Sequence, residues 1–209
     1  MLKIPYFKSY RNACALACYT MVAKYFFPKT TFNQIAKISQ WEPGYAIWGF
    51  KFWYWLMEKG IKIDDYDLID YEAWVKEGVE GLRKSVSKRV FEDYQKYSKD
   101  LGILTKDIPM VINHKNFTYH RQKPTFKDLL QAFRQGAVCE VTLNRKIFDK
   151  RKRDFFHRVV VVDIDDKNVT FHDPRRRLPR PNRKEKLELF KKAWLEDLPE
   201  PELCVYRKN

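Results

Sequence analysis

Two β-rich runs, residues 157–164 and 169–172, flank the tetrapeptide Asp165-Asp166-Lys167-Asn168. The first run holds four consecutive valines, Val159 to Val162. β-branched side chains suit a pleated strand, and an Asp/Asn-rich tetrapeptide suits a tight reversal. The pattern predicts a hairpin and commits this part of the chain to antiparallel β structure.

The region before it reads differently. Residues 12–26 form an apolar-striped helix, with Asn12 as N-cap and Cys14, Cys18, Met21, Val22, Tyr25 and Phe26 on one face. Pro28 stops it. Thr31 and Gln34 have capping-box spacing for a second helix to about Ser39, and a third spans about 47–58 before Gly60. Residues 71–100 are charged and mostly helical, broken near Gly78 and Gly81 and stopped at Gly102. Residues 108–112 read as a short strand. Thr125 and Asp128 cap a helix through Arg134, and residues 137–143 read as a strand. Residues 175–183 read as a proline-punctuated basic loop, followed by a helix to about Trp194 and a strand at 203–206. Helices first and an antiparallel sheet after them make the class α+β.

The length, 209 residues, suits one domain with a full core. A formal charge of +14 favours acidic partners, whether nucleic acid, anionic membrane surface or acidic peptide, and is silent on fold. The four cysteines match no small disulfide framework, and no CxxC or clustered histidine marks a metal site. The first residues lack the apolar run of a signal peptide, and the aromatic stretch 45–57 is too short to span a bilayer. These features lead to the expectation of a cytoplasmic protein with reduced thiols.

Three residues carry chemistry. Cys14 stands near a helix start, where unpaired N–H groups and the helix dipole favour a thiolate. His157 opens the valine strand, and Asp173 closes its hairpin partner. If the two runs pair through the 165–168 turn, Asp173 comes to lie where it can orient the His157 ring. That is a nucleophile, base and orienter. The plainer readings are a small buried cysteine, a surface histidine and a turn aspartate. Cys18, one turn on, reads as core.

At these residues the chain resembles the papain-like cysteine peptidases, and among them the bacteriocin-processing family that cuts after double-glycine leaders. The resemblance rests on Pro5-Tyr6-Phe7, on Ala13-Cys14-Ala15-Leu16-Ala17-Cys18, on His157-Arg158-Val159-Val160-Val161 and on Asp173-Pro174. It covers roughly the first 60 residues and residues 124–174, leaving 62–122 as an expected helical insertion. It implies an α+β, papain-like fold and peptide or protein substrates. Cys14 would be nucleophile, His157 general base and Asp173 orienter, with no cofactor. The family's oxyanion glutamine falls at Lys8 and its glycine after the cysteine at Ala15. Lys8 leaves three outcomes open: a slow peptidase, another acyl transfer, or a retired site.

Two basic segments flank the proposed histidine and aspartate. Arg151, Lys152 and Arg153 belong to one, Arg175, Arg176 and Arg177 to the other. They read either as a patch for an acidic protein or nucleic acid or as solvated charge. The competing function is therefore a non-enzymatic binding module on the same fold. His114 and His120 have no role legible from sequence.

Overall fold

The computed structural model describes residues 1–10, 13–149 and 152–208. Helices α1 (Cys14–Phe26), α2 (Phe32–Ile38) and α3 (Phe50–Met57) come first. Strand β1 (Ile61–Asp67) follows, then α4 (Tyr71–Glu77), α5 (Val79–Ser85), α6 (Lys88–Tyr97), α7 (Leu101–Leu104) and α8 (Ile108–Ile112). Next come β2 (Phe117–Arg121), α9 (Phe126–Arg134), β3 (Val138–Asn144) and α10 (Lys146–Asp149). The remaining elements are β4 (Phe156–Ile164), β5 (Asn168–Asp173), β6 (Arg180–Lys186), α11 (Leu187–Lys191), a π-helical turn (Lys192–Glu196) and β7 (Leu203–Lys208).

The strands form one sheet in the order β2-β1-β7-β3-β4-β5-β6. It is mixed rather than purely antiparallel, because β1 and β2 run parallel. One face packs against α1, α3 and the 71–112 helices through residues such as Tyr19, Phe52, Trp74 and Val160. The other packs against α9, α11 and the π turn through Leu129, Phe171, Phe190 and Trp194. The class is α+β.

The hairpin forms through β4 and β5. Asp165 Oδ1 accepts from the backbone N–H groups of Lys167 at 2.9 Å and Asn168 at 2.8 Å, which closes the reversal. The Thr31/Gln34 and Thr125/Asp128 capping boxes are both present. The charged helical stretch breaks at Gly78, whose φ of 65° lies in the left-handed region. Gly81 serves a different need. A Cβ there would come within 2.1 Å of the Ala73 carbonyl oxygen, so α5 crosses α4 too closely for any side chain.

Three local expectations are corrected. Residues 108–112 are helix rather than strand: Pro109 sits in the first helical turn, where its missing N–H costs nothing. Residues 180–183 belong to strand β6 rather than a loop. That strand is a sheet edge, so it tolerates Pro181 and keeps its charges other than Arg183 at least partly in water. Residues 62–122 hold helices but also β1 and β2, which extend the sheet. Asn12, expected as the cap of α1, lies outside the described residues; the N-cap of α1 is Ala13, which offers no side-chain bond. Among the described residues, no helix is long and apolar enough to cross a membrane.

Candidate active site

The N-terminal segment is pinned along β4 and β5 before it enters α1. Leu2 N–H donates to Val162 O at 2.7 Å, and Ser9 N–H donates to Pro174 O at 2.7 Å. The Tyr6 hydroxyl donates to the Asp173 carbonyl at 3.1 Å. His172 Nε2 donates to Ile4 O at 2.8 Å while its Nδ1 accepts from Asn182 N–H at 3.2 Å, so this buried ring is a neutral structural clamp. These bonds fix where α1 begins, and Cys14 is its first residue. Because Ala13 cannot cap, the first N–H groups of the helix are not consumed by a capping side chain.

Hairpin register brings the other two residues together. Val160 pairs with His172, so the next step sets Asp173 beside Val159, two residues from His157 and on the same face. His157 Nε2 and Asp173 Oδ1 lie 2.8 Å apart, and both residues are buried. This leaves Nδ1 as the ring nitrogen for Cys14, whose half-buried thiol is held down in pKa chiefly by the His157 ring.

The charges agree with this geometry. Burial pushes the Cys14 thiol up, but the His157 hydrogen bond and charge, with help from Arg158, outweigh it and bring it down to about 7. Burial opposes protonation of His157, yet its bonds to Asp173 and Cys14 raise its pKa. Burial likewise opposes ionisation of Asp173, while His157, Arg175 and Arg183 hold its carboxyl well below the usual range. The other three thiols are buried and pushed up, Cys139 to about 12. Of the four cysteines, Cys14 alone is poised as a thiolate near neutrality.

Arg175 departs from the expected basic patch. It is buried, and its Nε donates to Asp173 Oδ2 at 2.6 Å while Nη2 reaches Asp149 Oδ1 at 2.8 Å. Arg183, also buried, donates to Asp173 Oδ2 at 3.0 Å, and Arg145 pairs with Asp149 at 2.6 Å. The carboxylate behind His157 is thus clamped by two guanidinium groups. Sequence reasoning missed this clamp; only the i, i+4 spacing of Arg145 and Asp149 pointed to part of it.

A cleft of about 1400 Å³ runs past the thiol. Lys152, Arg153, Arg176 and Arg177 line it and are exposed, whereas Arg151 lies outside the described residues. Lys8 is exposed and does not line the cleft; its neighbour Ser9, buried, does. Ala15 lines it directly after the cysteine. Of the histidines without an assigned role, His114 bonds Glu58 at 3.1 Å and His120 stacks on Tyr66 with centroids 4.1 Å apart.

No protein-family model matches the chain, and no curated protein does. Among solved structures, it is similar to the crystal structure of a "putative C39-like peptidase" from Bacillus anthracis. The two share 12% identity with a TM-score of 0.55, covering 100% of this chain and 96% of the other. With the mixed sheet and the helices packed on it, that likeness assigns the chain a papain-like α+β fold.

Proposed function

We propose that the chain is a cysteine peptidase-like hydrolase in which Cys14 is the nucleophile, His157 the general base and acid, and Asp173 the orienter. The observation that carries this reading is the 2.8 Å contact of His157 Nε2 with Asp173 Oδ1, in a site where the same imidazole helps bring the Cys14 thiol down to about 7. The thiolate, paired with protonated His157, attacks the carbonyl carbon of a peptide bond. The oxygen of the tetrahedral species takes up the negative charge, beside the uncapped start of α1. His157 then gives its Nδ1 proton to the leaving amine as the C–N bond breaks, leaving a thioester on Cys14. Water, losing its proton to the same nitrogen, attacks the thioester and frees the acid and the thiol.

Asp173 keeps the ring oriented and stabilises the imidazolium. Lys8, at the position where the resembling family keeps its oxyanion glutamine, is exposed and off the cleft. The reading therefore gives the oxyanion one side-chain donor fewer, which lowers turnover by about a hundredfold or more. Incubation with a peptidyl vinyl sulfone followed by intact-mass measurement tests the assignment. One adduct on Cys14, absent in Cys14→Ser and slowed in His157→Ala, is expected. Equal labelling of Cys14→Ser would refute it.

A further inference from the structure

The cleft floor beyond the thiol carries carboxylates that the proposed chemistry does not use. Asp65 on β1 and Glu140 on β3 both pair with Cys204 on the intervening β7, so the three side chains stand in one row across the sheet. Asp67 lies two residues along β1 from Asp65, on the same face, and Glu202 just precedes β7. All four carboxylates line the same cleft as Cys14. Arg158 lies between them and the thiol. Its Nη1 approaches Glu140 Oε1 at 3.3 Å, and its Nη2 pairs closely with Glu202. Glu140 and Glu202 thus share one cation, while the hydrogen-bond partners of Asp65 and Asp67 are neutral donors.

Two further observations show that this floor holds more buried acid than base. Glu140 is 2% exposed, and beyond the 3.3 Å approach of Arg158 its Oε1 makes no hydrogen bond. The Tyr71 hydroxyl lies 2.9 Å from Asp65 Oδ2 and 2.8 Å from Asp67 Oδ2. That hydroxyl has one proton to give and serves one of the two carboxylates at a time, although Asp67 also accepts from the Tyr119 hydroxyl and the Ile69 N–H through Oδ1. Burial and mutual repulsion disfavour the anions: Asp65 is pushed well up, Asp67 to about 6 and Glu140 to about 7. A ligand cation would favour the ionised forms, the displaced protons passing to solvent.

We propose that this floor is a subsite for a basic side chain of the substrate, a lysine ammonium or arginine guanidinium, held by Asp65, Asp67, Glu140 and Glu202. The proposal names the substrate class of the peptidase read above and rests on that reading for its cleavage assay. An apolar side chain would leave Glu140 Oε1 with nothing but the Arg158 guanidinium that Glu202 also draws on, and would bury Asp65 and Asp67 beside it without adding any positive charge, which is costly. Among the described residues no three His, Cys, Asp or Glu side chains could hold a metal ion, so the acids are spread too widely for one. An extended guanidinium or ammonium on a flexible stem matches a spread set of acceptors better. From β4, beside Cys14, to β1 is three strand spacings, roughly 14 Å, or about four extended residues. The long basic side chain itself covers part of that distance, which places the recognised residue within about four positions of the bond cut.

The test is a set of blocked peptides, identical except for Lys, norleucine or Glu placed in turn at each of four positions on either side of the cleavage point. At one position Lys is expected to raise kcat/KM at least tenfold over norleucine, and Asp67→Asn and Glu140→Gln are each expected to remove most of that preference. Equal cleavage of the Lys and norleucine peptides at every position would overturn the subsite and leave the peptidase reading standing. So would a preference unchanged in both variants. The same peptides are titrated into Cys14→Ser, where tighter, salt-sensitive binding of the Lys peptide is expected. If nothing is cleaved but that discrimination persists, the subsite stands and the peptidase reading falls. If binding to Cys14→Ser shows no preference for Lys, the subsite falls.

Discussion

Replacing His157 by alanine removes the bond and charge that lead in bringing the Cys14 thiol down to about 7, leaving burial, which raises it, opposed by Arg158 alone among the leading causes. At pH 6 a thiol of that lowered pKa is roughly 9% thiolate, against about 0.1% for an ordinary one, a gain of about 90-fold. Lower basicity makes each thiolate a poorer nucleophile, and a Brønsted slope near 0.45 returns roughly eightfold of that gain. Native Cys14 is therefore expected to alkylate about tenfold faster at pH 6 than the same cysteine in an unfolded peptide. In His157→Ala most of that advantage is lost. The assay is a timed iodoacetamide reaction, quenched and read by peptide mass spectrometry for all four cysteines at once. Buried Cys139, pushed up to about 12, is the slow internal reference. A Cys14 rate equal to the peptide's, or a rate unchanged by His157→Ala, would refute the thiolate–imidazolium reasoning.

Gly81→Ala drives a Cβ to within 2.1 Å of the Ala73 carbonyl, so α5 must move off α4; a loss of about 1–3 kcal/mol in urea unfolding is expected. Arg175→Met leaves Asp173 and Asp149 each short of a buried partner, and a loss of about 3 kcal/mol is expected by the same measurement. An effect under about 1 kcal/mol would mean the clamp is not what holds this corner. The pH dependence of stability has two signs. Asp173 is held below its ordinary 3.8, so it stabilises above that pH and loses the contribution as pH falls. Asp67 and Glu140 are raised to about 6 and about 7, so their contributions are complete below 3.8 and 4.5 and fade as pH rises through those higher values. Urea midpoints are expected to decline from about pH 5 to pH 8, and Asp67→Asn to flatten the decline.

The elements most legible in the sequence are those whose signal is local. The Thr31/Gln34 and Thr125/Asp128 boxes, the turn at 165–168 and the break at Gly78 each depend on a few adjacent residues. The proximity of His157 and Asp173 was readable because one tight turn sets the register of both strands. What stayed hidden depends on partners far away in sequence. Strands β1 and β2 carry Asp64, Asp65, Asp67 and His120, poor strand formers that read as a charged insertion until β7 and each other's edges pair with them. β6 looked like a loop because an edge strand keeps most of its charges in water. Arg175 looked like surface charge because nothing near it in sequence announces Asp149. Lys8 shows the same limit: its neighbour Ser9, not the lysine, lines the cleft.

The place of β7 in the sheet has a kinetic consequence. It lies between β1 and β3 and is their sole link in the strand order, yet it is made after both. Until residues 203–208 dock, the sheet exists as two fragments, β2-β1 and β3-β4-β5-β6. His157 and Asp173 belong to one fragment, Asp65 and Asp67 to the other. Pairings of such long sequence separation form late and slowly. The hairpin side can thus assemble early while the cleft, which needs both fragments, waits for the final strand. A chain that has yet to seat β7 would have a reactive thiol without a shaped groove to feed it.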